Sequence, residues 1–183
     1  MTAVDRLLQR WRIAKAAPFI RPGARVLDIG SADGALFKTF SNVDASSIGI
    51  DPTLPASTKV GAFRLIAGYF PRDLPSAEPF DVITMLATLE HFPADGYAEL
   101  SRGCAQFLKP GGSLIITVPS AAVDGILKVL VFLRLIDGMS LEEHHGYNVN
   151  ITPAIFSEDS FVLRKRAAFQ LGLNNLFVFE RRT

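Results

Sequence analysis

The stretch Val26-Leu27-Asp28-Ile29-Gly30-Ser31-Ala32-Asp33-Gly34 constrains the fold more than any other part of the chain. An apolar run of β character ends in a carboxylate, passes through a glycine-bearing turn and enters a helix-forming segment. That is the build of a nucleotide-binding strand–loop–helix. A second apolar run, Ile48-Gly49-Ile50, ends in Asp51. Asp51 lies about 20 residues beyond Gly30, the spacing at which an acid closes the second strand of a doubly wound sheet and takes ribose hydroxyls. Two acids and one tight turn outline an adenosine site.

Two cofactor classes compete for such a site. A dinucleotide calls for glycines in the pattern G-x-G-x-x-G, so that the backbone can approach a pyrophosphate. Those positions are Gly30, Ala32 and Ala35 here, which weakens the reading as a nucleotide-dependent oxidoreductase. S-adenosylmethionine has no phosphate, and its amino group makes an acid near the turn useful. Asp28-x-Gly30-x-Ala32-x-Gly34 resembles the first motif of class I S-adenosylmethionine-dependent methyltransferases, acid-x-Gly-x-Gly-x-Gly. Ala32 departs from that motif. A Cβ there costs little at negative φ and about 1 kcal/mol or more at positive φ.

After a basic amphipathic helix within residues 1–20, strands and helices alternate. Strands are predicted near 25–29, 46–51, 62–67, 80–86 and 112–118, and helices near 34–41, 54–60, 95–108 and 121–136. Alternation of this kind argues for a parallel sheet covered on both faces. Phe161 to Leu171 and Asn174 to Arg182 read as two further strands. Their connection is too short for a crossover, so they pair antiparallel. The expected fold is α/β: a Rossmann-like, seven-stranded, mostly parallel sheet with a C-terminal antiparallel hairpin and helices on both faces. Residues 1–183 read as a single domain, with 121–160 as an acceptor or lid insertion.

Later segments extend the resemblance in order. Phe80-Asp81-Val82-Ile83 is similar to the family's fourth-strand motif, and Leu89-Glu90-His91-Phe92 to the segment that follows it in small-molecule methyltransferases of the ubiquinone type. Leu108-Lys109-Pro110-Gly111-Gly112 resembles the turn before the fifth strand. The resemblance implies that the turn residues Asp28, Gly30, Ser31, Ala32 and Gly34 hold the methionine end of the cofactor, and that Asp51 and Pro52 serve its ribose. Tyr69 and Phe70 stand where the family contacts adenine, although either can equally be core. Leu86, Ala87 and His91 follow the fourth strand at the ligand edge. His91 is read as structural rather than catalytic.

Composition narrows the partners. The net charge of +1 supplies no field that would draw in nucleic acid or anionic membrane. The Asn-Pro-Pro-Tyr-like motif of amino-methylating nucleic-acid enzymes is missing after the fourth strand, where Leu86-Ala87-Thr88-Leu89 stands instead. A small-molecule acceptor is expected, and no nucleic acid. The run from Val123 to Ile136 is too short and too charged to span a bilayer. Its apolar residues occupy more than one helical face, so it can cover an acceptor pocket or meet a second subunit in a homodimer. No secretory signal is visible, and a cytoplasmic location is expected. The lone Cys104 falls on the buried face of the 95–108 helix. Arg164-Lys165-Arg166 reads as solvated strand-end charge.

His144 and His145, in Glu142-Glu143-His144-His145-Gly146-Tyr147, are the candidate catalytic residues. A histidine in the acceptor region can take a hydroxyl proton as the methyl group transfers. Glu90 and His91 are neighbours on one turn and diverge too far to chelate a metal together, so no metal is expected. The remaining alternative is a non-catalytic module that binds S-adenosylmethionine without turnover.

Overall fold

The computed structural model describes residues 3–120, 147–156 and 158–183. The described chain opens with α1 (Ala3–Ala16), which a 3-10 turn at Ala17–Phe19 extends. Asp5 in the first turn of α1 and Lys15 in its last complement the helix dipole. There follow β1 (Val26–Ile29), α2 (Ala35–Thr39), β2 (Ile48–Asp51), β3 (Thr58–Val60), β4 (Phe63–Ala67) and β5 (Phe80–Leu86). Short 3-10 turns at Leu89–His91 and Ala94–Gly96 lead into α3 (Tyr97–Phe107) and β6 (Leu108–Pro119). After a 3-10 turn at Val149–Ile151 come α4 (Thr152–Ile155), β7 (Phe161–Phe169) and β8 (Asn174–Arg181).

These strands form one sheet in the order β3-β4-β2-β1-β5-β6-β8-β7. β4, β2, β1, β5 and β6 run parallel, and β8 and β7 are antiparallel additions at one edge. β1 and β2 are buried at every residue, as strands covered on both faces must be. The period of two divides the core. Leu27, Ile83 and Ile116 join a cluster with Leu100, Cys104 and Phe156. Val26, Val82 and Ile115 face the opposite side, against Ala16, Ile20, Leu36 and Phe37. α3 and α4 therefore cover one face and α1 and α2 the other. Cys104 is fully buried, as the helical spacing predicts.

The eighth strand is an addition to the expected seven. Residues 54–60, expected to form a helix, instead end in β3, which pairs antiparallel with β4 through Thr58↔Leu65 and Val60↔Phe63. The β-branched Thr58 and Val60 suit an edge strand. The two-residue connection places Gly61 at φ +59°, a conformation that favours a hairpin over a helix. A second difference concerns Lys109-Pro110-Gly111-Gly112. This segment lies inside β6 as an irregularity, between the Phe80↔Leu108 and Val82↔Ser113 pairs, with Gly111 at φ +74°. Lys109 Nζ reaches Asp81 Oδ1 at 2.7 Å across it.

The basic residues of β7 lie along the strand rather than at its ends. Arg164 pairs with Glu180 at 2.8 Å, and Arg166 donates to the Asn150 side chain at 2.7 Å. The segment from 121 to 136, expected to be a helix, lies outside the described residues, as do His144 and His145. No helix of the described residues is long and apolar enough to cross a membrane.

Candidate functional site

The strand order reverses at β1, with β2 on one side and β5 on the other. In open α/β sheets ligands bind at the carboxyl ends of the strands at such a point. A cleft of about 920 Å³ opens there, within the range of small-molecule sites. Its walls come from the turn after β1 (Gly30, Ala32), the end of β2 (Asp51, Pro52, Thr53), the segment after β5 (Ala87 to Ala94), the start of α3 (Tyr97) and the segment before α4 (Tyr147, Asn148, Ile151).

The turn is held by its own backbone and by one acid. The Gly30 amide donates to the Ile50 carbonyl at 2.9 Å, and the Gly34 amide to that of Ser31 at 2.8 Å. Gly34 caps α2 at φ +71°. Gly30 has φ +78°, and a Cβ on it would lie 2.2 Å from Thr88 Oγ1. No side chain fits there, so the turn after β1 and the segment after β5 touch directly. Ala32 has φ +41°, and the strain that a Cβ brings at positive φ is present. Its amide donates to Asp51 Oδ2 at 2.7 Å. Asp51 Oδ1 accepts from the Thr53 amide at 2.8 Å and from its hydroxyl at 2.6 Å. A carboxylate offers about four acceptor positions, so the protein fills three. One remains, and the Thr53 hydroxyl can rotate to release another.

The candidate residues divide by place. Gly30, Ala32, Asp51, Pro52, Ala87 and His91 line the cleft. Asp28 and Ser31 are buried behind the turn, and Gly34 meets Val60 and Leu65. Leu86 packs partly buried against the core of the α1 and α2 face. Phe70 belongs to the core of the other face, with its ring 5.9 Å from that of Phe107. Tyr69 is 60% exposed, under the Arg72 guanidinium at 5.3 Å.

Asp28 Oδ1 accepts from Thr84 Oγ1 at 2.6 Å. Burial pushes its carboxyl up to about 7; the Thr84 hydroxyl opposes this and the nearby Asp51 adds to it. Beside the cleft, Glu90 also rises to about 7, chiefly through burial, against its own backbone amide and the charge of Arg12. Tyr147 is raised to about 12, again by burial, and its hydroxyl shares a 2.9 Å hydrogen bond with Thr152. Glu90, Tyr97, Tyr147 and Asn148 join the site beyond the residues singled out from sequence. Glu90 comes from the Leu89-Glu90-His91 segment and Tyr147 and Asn148 from the expected acceptor insertion, but residue type alone does not mark any of the four.

A methyltransferase-domain family profile matches residues 3–161. The chain is 30% identical over 149 residues to the ubiquinone biosynthesis O-methyltransferase of Xanthomonas campestris pv. campestris strain B100, covering 76% of this chain and 61% of that protein. It is 28% identical over 142 residues to the enzyme of the same description from Burkholderia thailandensis, covering 73% and 60%. The chain thus spans about three fifths of the length of these curated relatives. Among solved structures, the N-methyltransferase NodS from Bradyrhizobium japonicum WM9 in complex with S-adenosyl-L-homocysteine is similar in fold. The TM-score is 0.70 at 16% identity, over 96% of this chain and 88% of that one.

Proposed function

We propose that this chain, which belongs to the methyltransferase-domain family, transfers a methyl group from S-adenosylmethionine to a small-molecule acceptor. The observation that carries the reading is the clamp between Asp51 and the turn after β1, placed at the mouth of the cleft. The residues suit the donor. Asp51 has an acceptor position to spare for a ribose hydroxyl, and Pro52 lies beside it. Gly30 keeps the turn open to a close approach, and Ala87 borders it at φ +58°. Glu90 lines the same cleft with both carboxyl oxygens enclosed.

When bound, S-adenosylmethionine supplies an activated methyl group on a sulfonium. The chain's own part is to align donor and acceptor and to exclude water, where proximity effects are large. Tyr97, Tyr147 and Phe92 give the acceptor end of the cleft aromatic walls, which suits a ring-bearing acceptor. The relatives' printed activity, an O-methyl transfer in ubiquinone biosynthesis, supports oxygen as the target atom. A hydroxyl acceptor must lose its proton, and sequence position assigns that step to His144 or His145.

Calorimetry with S-adenosylmethionine and S-adenosylhomocysteine tests the donor. Release of the methyl group onto phenolic acceptors then separates an enzyme from a module that only binds. Protein that binds neither compound overturns the proposal. Protein that binds both but methylates nothing in a broad acceptor panel is the binding module.

A further inference from the structure

The net charge of the chain is close to neutral, but α1 carries Arg6, Arg10, Arg12 and Lys15 against Asp5 alone. Its outer face also bears apolar side chains. Leu7 and Trp11, one turn apart, are 51% and 49% exposed. Beside them stands the tip of the β7–β8 hairpin, where Leu171 is fully exposed. Gln170 and Leu171 hold left-handed backbone, at φ +54° and +57°, a conformation disfavoured for residues other than glycine, asparagine and aspartate. Trp11, Lys15, Phe169 and Leu171 line one groove of about 410 Å³ between the helix and the tip, and no acid among the described residues lines it. Lys15 Nζ lies 6.0 Å over the Phe169 ring, and Arg10 stands one turn before the groove residue Ala14. Leu171 thus lowers stability through its backbone and through its hydration, with no packing to offset either.

We propose that this patch docks the protein on an anionic lipid bilayer, with Trp11 and Leu171 entering the headgroup layer and Arg10 and Lys15 meeting its phosphates. Charge complementarity selects the occupant. A second copy of the chain on the same patch would set like charges against each other. A protruding hairpin tip with one leucine offers little of the area that a stable protein interface needs. Tryptophan beside basic side chains is the arrangement that settles in a membrane interface. The pairing of β6 with β8 reaches Pro119↔Asn174, and the Ser120 amide donates to the Leu173 carbonyl at 2.9 Å. The hairpin tip therefore lies at the carboxyl edge of the sheet, where the cleft opens. α1 reaches that edge too, since the Gln9 side-chain amide lies 3.5 Å from Asp33 Oδ1 in the turn after β1. A docked protein turns this edge toward the bilayer. The inference stands apart from the methyl-donor reading, because neither Trp11 nor Leu171 lines the cleft.

Trp11 is the single tryptophan of the chain, so its emission reports on the patch directly. The full chain is titrated with vesicles of phosphatidylcholine alone and of phosphatidylcholine mixed with phosphatidylglycerol. On the mixed vesicles the emission should shift to the blue and lose access to acrylamide, and added salt should weaken the binding. Leu171→Asn suits the left-handed backbone, so the variant keeps its fold, and it should bind the mixed vesicles about tenfold more weakly. Arg10→Gln should bind about fivefold more weakly. Neither variant should unfold at lower urea than wild type. No response to mixed vesicles, or an equal response to phosphatidylcholine alone, overturns the inference, as do variants that bind as tightly as wild type. Emission that is already blue and shielded from acrylamide in the free protein shows a patch covered by the chain itself or, where it changes on dilution, by a second copy. Either overturns the inference. A blue shift with poly-glutamate and none with vesicles also overturns it, and assigns the patch to an acidic protein.

Discussion

The Ala32 amide donates to Asp51 Oδ2 at 2.7 Å, so the acid at the end of β2 holds the turn after β1 as well as facing the cleft. The two halves of the adenosine motif are one unit. Asp51→Ala is expected to weaken S-adenosylhomocysteine binding by about tenfold or more and to lower stability by removing the clamp. Asp51→Asn keeps an acceptor oxygen and should retain more of the stability than of the affinity. Calorimetry and denaturant unfolding on both variants check this. Affinity unchanged in Asp51→Ala would remove Asp51 from the site.

At Gly30, two obstacles to a side chain combine. The residue has φ +78°, and a Cβ would lie 2.2 Å from Thr88 Oγ1 and 2.5 Å from its Cγ2. Gly30→Ala should destabilise by about 2 kcal/mol or more, the positive-φ strain plus the clash. Thr88→Ala in the same chain removes both of those atoms but keeps Cβ, which would lie 2.9 Å away, so the double variant should recover part of the clash and leave the strain. A double-mutant cycle that is simply additive would show that the two residues do not touch.

Much of the fold and of the turn is legible in the sequence because it is local. Asp28, Gly30, Gly34 and Asp51 announce the turn by residue type and spacing, and Gly172-Leu173 announces the terminal hairpin by the shortness of the connection. The edge strand β3 is not, because Thr58-Lys59-Val60 is too short to show a period. Its identity comes from pairing with β4. The sign of φ at Ala32 is open from sequence and depends on the reach of Asp51. In the sequence Glu90 stands out only as part of the Leu89-Glu90-His91-Phe92 segment. What singles it out is the enclosure of its carboxyl beside Arg12 of α1, which arises only when the two segments pack.

Ala32 reverses an ordinary rule. Replacing alanine by glycine generally lowers stability, because glycine loses more backbone entropy on folding. At φ +41° the Cβ is strained, and removing it returns about 1 kcal/mol. Ala32→Gly should therefore be neutral or raise stability by up to about 1 kcal/mol. Ala35→Gly, at the first position of α2, should lower it. Urea titrations of the two variants provide the comparison. A destabilised Ala32→Gly would mean that the turn does not hold positive φ in solution.

The two raised carboxyls set the dependence of stability on pH. Asp28 faces Thr84 and Asp51. Glu90 faces Arg12 of α1 and acts on Tyr97 and Tyr147, with His91 as its chain neighbour. Both carboxyls rise to about 7 from ordinary values of 3.8 and 4.5. Between those limits the folded chain keeps protons that the unfolded chain has released. The stability these two groups contribute is therefore highest below about pH 4, falls as pH climbs toward 7 and levels off above it. Glu90→Gln removes one of the two contributions. Its decline with pH should be shallower than that of wild type, and without ligand at pH 8 it should be at least as stable, since it no longer encloses an unpartnered charge. Denaturant unfolding between pH 4.5 and 8 measures both slopes. Identical slopes would mean that the Glu90 carboxyl is solvated in the free protein. A shallower slope would show a group whose burial lowers the stability of the free protein.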